Sequence, residues 1–180
     1  RRELYRRLGK WHLEQNDFQT AYGYFYRAGD FERILSILND PRNIRNEMTI
    51  FEGSEEMFEQ LDLELLYQYP IAYLQFILLA ILQGSEDTIP ECDKKLDDLR
   101  DVYETMDQID EEYRNRILAE ILIIRKFTIF NYIDPKDEHN QNILKLLGGK
   151  QSYIMRQDNE FTFGSPHLLY IYYREPVTFY

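Results

Sequence analysis

The sequence predicts an all-α protein, and three observations carry that prediction. Pro and Gly are scarce, at six and eight of 180 residues, while Leu, Ile, Glu and Tyr abound, which favours helix over turn-rich β-structure. Apolar residues recur at three- and four-residue spacing along most of the chain. Capping residues, glycines and prolines divide those runs into helix-sized pieces. At this length a single domain can bury a sizeable core, and nothing requires a second.

In the first piece, Tyr5, Leu8 and His12 fall at i, i+3 and i+7 with Gly9 among them, so all four share one helical face. Gln15 to Asp17 (QND) makes a turn, and a second helix then presents Ala21, Phe25 and Ala28. Small residues at 9, 21 and 28 let the two axes approach closely, while Tyr5, Leu8 and Phe25 fill the space between them. Gly29 stands where a helix end favours a residue of positive φ. Phe31, Ile34, Leu35 and Leu38 continue the period into a third helix, which Asn39, Asp40 and Pro41 stop.

The middle of the chain is helical and acidic. Glu52 to Glu64 holds six acids and no base above a stripe of Met57, Phe58, Leu61, Leu65 and Leu66. Ile71 to Leu82 is apolar but shorter than the ~20 residues of a membrane span, and reads as a buried helix. Glu86 to Glu112 carries twelve acids against Lys94, Lys95 and Arg100, with Leu96, Leu99, Tyr103 and Met106 as its apolar side. The carboxylates are expected largely on the opposite, wet face. Tyr113 to Ile133 is apolar nearly all round and must be covered by neighbours on most sides. Asp134 and Pro135 then start a helix that Gly148 and Gly149 end, and Ser165 with Pro166 starts a last one that runs to Pro176.

The opening pattern resembles the tetratricopeptide repeat signature, W-x2-L-G-x2-Y followed by A-x3-F and A. Tyr5 stands for the tryptophan and His12 for the tyrosine, Leu8, Gly9, Ala21, Phe25 and Ala28 match, and Arg33 occupies the place of the closing proline. That resemblance implies a right-handed helical-repeat superhelix, a solenoid fragment, with its best arch at 1–38 and divergent helical repeats over 39–180 as one domain. The tail, YIDPKDEHNQNILKLLGGKQSYI and then FTFGSPHLLYIYYREP, resembles the region after the winged helix in large bacterial regulators of the LuxR family, of the maltose-regulon-activator type. Members of that family are signal-transduction ATPases with a P-loop NTPase before the superhelical sensor array and a DNA-binding helix-turn-helix after it. The resemblance therefore implies the front of a sensor region in a cytoplasmic transcription regulator. The start at Arg1, without methionine or a leader-like apolar run, agrees with a fragment excised from a longer chain.

Charge and motif content narrow the chemistry. A formal charge of −11 opposes direct phosphate binding, so DNA is expected only through the missing helix-turn-helix. Cys92 is the one cysteine, which excludes an internal disulfide, and its acidic neighbours Glu91 and Asp93 disfavour the thiolate. The histidines at 12, 139 and 167 lack metal-binding spacing, and the acids at 87–101 lack the calcium-loop pattern. Gly148, Gly149 and Lys150 resemble a P-loop end only by eye, because Leu144 and Gln151 occupy its other essential positions. No catalytic, metal or cofactor residues are therefore assigned, and ATP belongs to the missing N-terminal NTPase domain. An enzyme using Asp97 or Glu104 is the least favoured reading, since no paired constellation accompanies them.

A binding surface is the better-supported role. In a tetratricopeptide arch the first helix lines the groove, and the residues here matching that face are Arg6, Lys10 and Leu13. They are the candidate interaction surface for an acidic peptide or anionic effector. Expected partners are an effector small molecule or regulatory protein, neighbouring domains of the longer chain and a second copy of it, but no membrane. An adaptor unconnected with transcription is the alternative. Tyr22, Tyr24 and Tyr26 are expected to pack between helices rather than hold a ligand.

Overall fold

The computed structural model describes residues 1–43, 51, 53–128 and 138–155. Among them are nine α-helices and no strand. They are α1 (Arg2–Glu14), α2 (Phe18–Ala28), α3 (Phe31–Leu38), α4 (Ser54–Gln60), α5 (Leu63–Gln68), α6 (Pro70–Gln83), α7 (Ile89–Thr105), α8 (Glu111–Arg125) and α9 (Glu138–Leu147). The all-α prediction holds at this level. The described residues display no succession of repeats, so the superhelix stays an implication of the sequence resemblance.

The first three helices follow the sequence closely. Gly9 is buried against Phe25, and Ala21, Phe25 and Ala28 are all inaccessible to solvent. Asp17 caps α2 by accepting from the Thr20 N–H at 3.3 Å. Gly29 ends the helix at φ 67°, where its N–H donates to the Tyr26 carbonyl. Tyr22 and Tyr26 pack on Phe51, and Tyr24 lies between Tyr5 and His12, so all three tyrosines serve packing as expected.

Further along, three expectations change. The acidic run at 52–64 is not one helix: Leu61 is extended at ψ 142°, and Asp62 precedes a separate α5. Its stripe still buries Met57, Phe58 and Leu66 from the two short helices. The carboxylates of α7 lie largely in water as expected, and Asp93 and Asp97 also reach the end of α8, where Arg125 donates to Asp97 Oδ1 at 2.6 Å and Thr128, just beyond that helix, to Asp93 Oδ1 at 2.6 Å. The helix expected to run to Ile133 ends at Arg125, whose guanidinium is part of that link. Within it Glu120 is fully buried, against the reading of an apolar helix. The Asp134–Pro135 start and the helix expected over 165–176 lie outside the described residues.

The centre of the core is α6, with Ile71, Leu74, Ile77, Leu78 and Ile81 all buried. Around it pack α3, α5, α7 and α8.

Two glycines make the packing testable. A Cβ on Gly9 would sit 2.8 Å from the Phe25 ring, whereas one on Gly23, in the interior of α2, meets nothing within 4 Å. Gly9→Ala should destabilise the protein by roughly 1–3 kcal/mol through overpacking. Gly23→Ala should stabilise it by about 0.5–1 kcal/mol through helix propensity. Denaturant unfolding of both variants reads the difference, and equal effects would disprove the close α1–α2 approach.

Candidate functional site

Of the three residues predicted to form a surface, Arg6 and Lys10 are exposed and Leu13 is half-buried. The Arg6 guanidinium lies 3.3 Å from Asp30 and 3.7 Å from Glu3, tying the start of α1 to the corner between α2 and α3. Leu13 is half-buried against the core. Lys10 alone is exposed with no ion-pair partner among the described residues. The three do share one flank of α1, but two of them hold the arch together.

The opposite flank is the open one. Leu4 and Trp11 are 58% and 55% exposed, with Leu8 half-buried between them at i, i+4 and i+7. The Trp11 indole is not loose. Its ring stands edge-on to His12, with centroids 4.8 Å apart and planes at 88°, and His12 in turn stacks on Tyr24 at 5.3 Å. His12 Nδ1 lies 2.9 Å from Asp17 Oδ2, and because a carboxylate only accepts, that nitrogen carries the proton. Hydrogen bonds from Thr20 first, then from His12, hold the Asp17 carboxyl below its ordinary range. Tyr5 continues the aromatic row at 6.2 Å from Tyr24, under the Arg1 guanidinium.

This surface combines the half-exposed indole and two leucines with Arg7, one helical turn before Trp11, while Lys10 stays on the Arg6 flank. Such a mixture of aromatic and basic groups is what protein interfaces concentrate at their energetic centres. Leu4, Leu8 and Trp11 keep the spacing of a second apolar stripe, so the signal was present in the sequence. The Gly9 face masked it because both stripes occupy one helix.

Elsewhere, most polar groups are engaged by structure, although Arg116 Nε and Arg125 Nε are buried without a hydrogen-bond partner among the described residues. Glu120, with no solvent exposure, accepts from Ser152 Oγ at 2.7 Å and from the Tyr153 and Ile154 N–H groups. One turn before it, Arg116 lies 3.5 Å over the Tyr153 ring and donates to the Gln151 carbonyl. Together they clamp residues 151–155 onto α8. Gly148 and Gly149, at φ 57° and 81°, end α9 and lead into this clamp. Asp97 and Glu104 are engaged by Arg100, and Asp97 by Arg125 as well. Burial before any neighbour pushes the Cys92 thiol up, and Lys95 opposes the shift. Among the described residues no three His, Cys, Asp or Glu side chains converge as metal ligands, and no helix is long and apolar enough to cross a membrane. A cavity of about 20 Å³ between Leu38, Phe58, Gln75 and Phe76 has room for one water.

With this geometry in view, comparison with known proteins adds no relative: no family model, no curated protein and no solved structure matches the chain.

Glu120 yields a pH signature. Burial raises its pKa above the ordinary 4.5 despite the three donors and nearby Arg116. The folded state therefore binds the proton better than the unfolded chain does. This group favours folding most below that ordinary value, and its contribution declines as pH rises through the folded pKa. Stability of Glu120→Gln should lack that decline as pH rises above the ordinary 4.5. Unfolding midpoints across that range test the claim, and parallel profiles for the two proteins would refute it.

Proposed function

We propose that this chain is a non-catalytic protein-interaction scaffold whose contact surface is the Leu4–Trp11 flank of α1. The observation that carries the reading is the half-exposed indole set edge-on against His12, which in turn stacks on Tyr24 and hydrogen-bonds Asp17. Holding a large aromatic side chain rigid in water gains nothing for folding, while it lowers the entropy lost when a partner covers it. The close α1–α2 hairpin supports the tetratricopeptide-like part of the proposal, and a continued right-handed superhelix extends it.

The setting we propose is the sensor region of a LuxR-type regulator, in which an effector or partner protein favours one arrangement of the helical array. Its influence on a distant DNA-binding module equals its differential affinity for the two arrangements. The sequence likeness of the arch and the tail supports this setting. The native reading frame on both sides tests it directly: a P-loop upstream and a helix-turn-helix downstream are expected, and their absence would leave the adaptor reading.

The scaffold role has its own test. A photoreactive amino acid at position 11, introduced in cells producing the native protein, should give a discrete crosslinked adduct. The same group at exposed Asp101 on α7 should not. Equal or absent crosslinking at the two positions would contradict the proposed surface.

A further inference from the structure

Along α8, Glu112, Arg116 and Glu120 stand four residues apart and form one stripe. Each of them meets the segment that follows α9. Lys150 pairs with Glu112, and the Gln151 carbonyl accepts from Arg116, whose guanidinium lies over the Tyr153 ring. The Ser152 hydroxyl and the Tyr153 and Ile154 N–H groups all donate to Glu120. Residues 150–155 therefore lie along the helix as a strap without helix or strand of their own.

Three observations set this strap apart from the core it touches. Only Ser152 and Ile154 are buried, while Lys150 and Gln151 are exposed and Tyr153 and Met155 half-buried. Its polar attachment converges on one carboxylate: Ser152 Oγ donates to Glu120 at 2.7 Å and itself accepts from the Ile154 and Met155 N–H groups at 3.2 and 2.8 Å. At its start Gly148 and Gly149 hold φ of 57° and 81°, and a Cβ on either would meet nothing within 4 Å. Two such glycines in open surroundings give the chain a pivot at that point.

Closure also carries a cost. Glu120 has no solvent exposure, and Arg116 Nε is buried without a hydrogen-bond partner among the described residues. A buried acid and a buried unsatisfied donor both oppose the closed arrangement. Lifting the strap gives both groups access to water, so part of the bonding lost on opening is recovered.

We propose that residues 150–155 form a releasable strap, which swings off α8 about Gly148 and Gly149 as a unit while the helices stay folded. In the chain, residues 156–180 follow Met155. The closed strap ties that part of the chain to α8 at residue 155, and the open strap moves the tether back to Gly149. The device is a switch on how much of the chain the helical body holds.

Native-state amide hydrogen exchange on the 180-residue chain, read residue by residue against denaturant, tests this. The Tyr153 and Ile154 amides should be protected, but roughly tenfold or more below those of Ile77 and Leu78 in α6, and with a shallower denaturant dependence. A second carboxylate at the latch should open it. In Ser152→Asp like charges crowd beside Glu120, so the 153 and 154 amides should exchange at free-chain rates while Ile77 and Leu78 stay protected.

Strap amides as protected and as denaturant-sensitive as those of α6, strap amides without protection in the unaltered chain, or protection that survives Ser152→Asp would each overturn the proposal. So would a Ser152→Asp chain that unfolds as a whole, because the strap would then belong to the core and could not open by itself.

Discussion

Everything in this fold is arranged around a helix that cannot face water. Along α6 almost every turn is apolar, and only Gln75 and Gln83 supply uncharged polar amides. Helices α3, α5, α7 and α8 are accordingly placed to cover it. The junction that fixes one of them is a reciprocal cap: Asn39, just past the end of α3, accepts from the Ile71 N–H at 2.8 Å and the Ala72 N–H at 3.3 Å. Pro70 occupies the preceding position and has no N–H to satisfy. In return, Gln75 donates to the Leu38 carbonyl at 2.8 Å. Orphan groups at the end of one helix and the start of another thus satisfy each other. The α1–α3 arch is held to the body through this junction.

Charge is handled differently in the two acidic regions. A net charge of −11 tends to push a compact chain apart, and α7 gathers six acids against three bases. Arg125 and Arg100 answer it. The first links α8 to Asp93 and Asp97, and the second spans Asp97, Asp101 and Glu104 along one helix face. The Arg125 contacts hold two helices together, while the Arg100 pairs are partly exposed and worth little individually. On α4 and α5 no such cations exist, so their carboxylates remain solvated on two short helices. The same composition is therefore structural in one region and a surface property in the other.

Local grammar carried much of the fold. Gly29, Gly148 and Gly149 end helices at positive φ, and the Gly9, Ala21, Ala28 set predicted close helix packing. Each of these features depends on neighbours within a few residues or on one helical face. What escaped the sequence depends on partners far along the chain. Glu120 reads as a polar interruption until Ser152, 32 positions later, is seen to donate to it. Asp93 and Asp97 read as solvated until Arg125 arrives from the next helix. The break at Leu61 has no glycine or proline to announce it. Trp11 was visible as a residue but not as a surface, because helical spacing gives a face and does not say which of two apolar faces is covered.

That distinction bears on how the arch works. The hydrogen bond that orients His12 runs to Asp17, and Asp17 also caps α2. The tryptophan is therefore braced by the same residue that starts the second helix, and Tyr24 on that helix completes the stack. A flexible indole at this exposure would lose rotamer freedom on binding, a cost of about 0.5–1.5 kcal/mol for a rotamer-rich side chain. Here the fold has already restricted it. The turn at Gln15 to Asp17 joins two helices and also prepares a contact surface, so the sequence between Tyr5 and Ala28 specifies the packing inside the arch together with the rigidity of the group that faces outward.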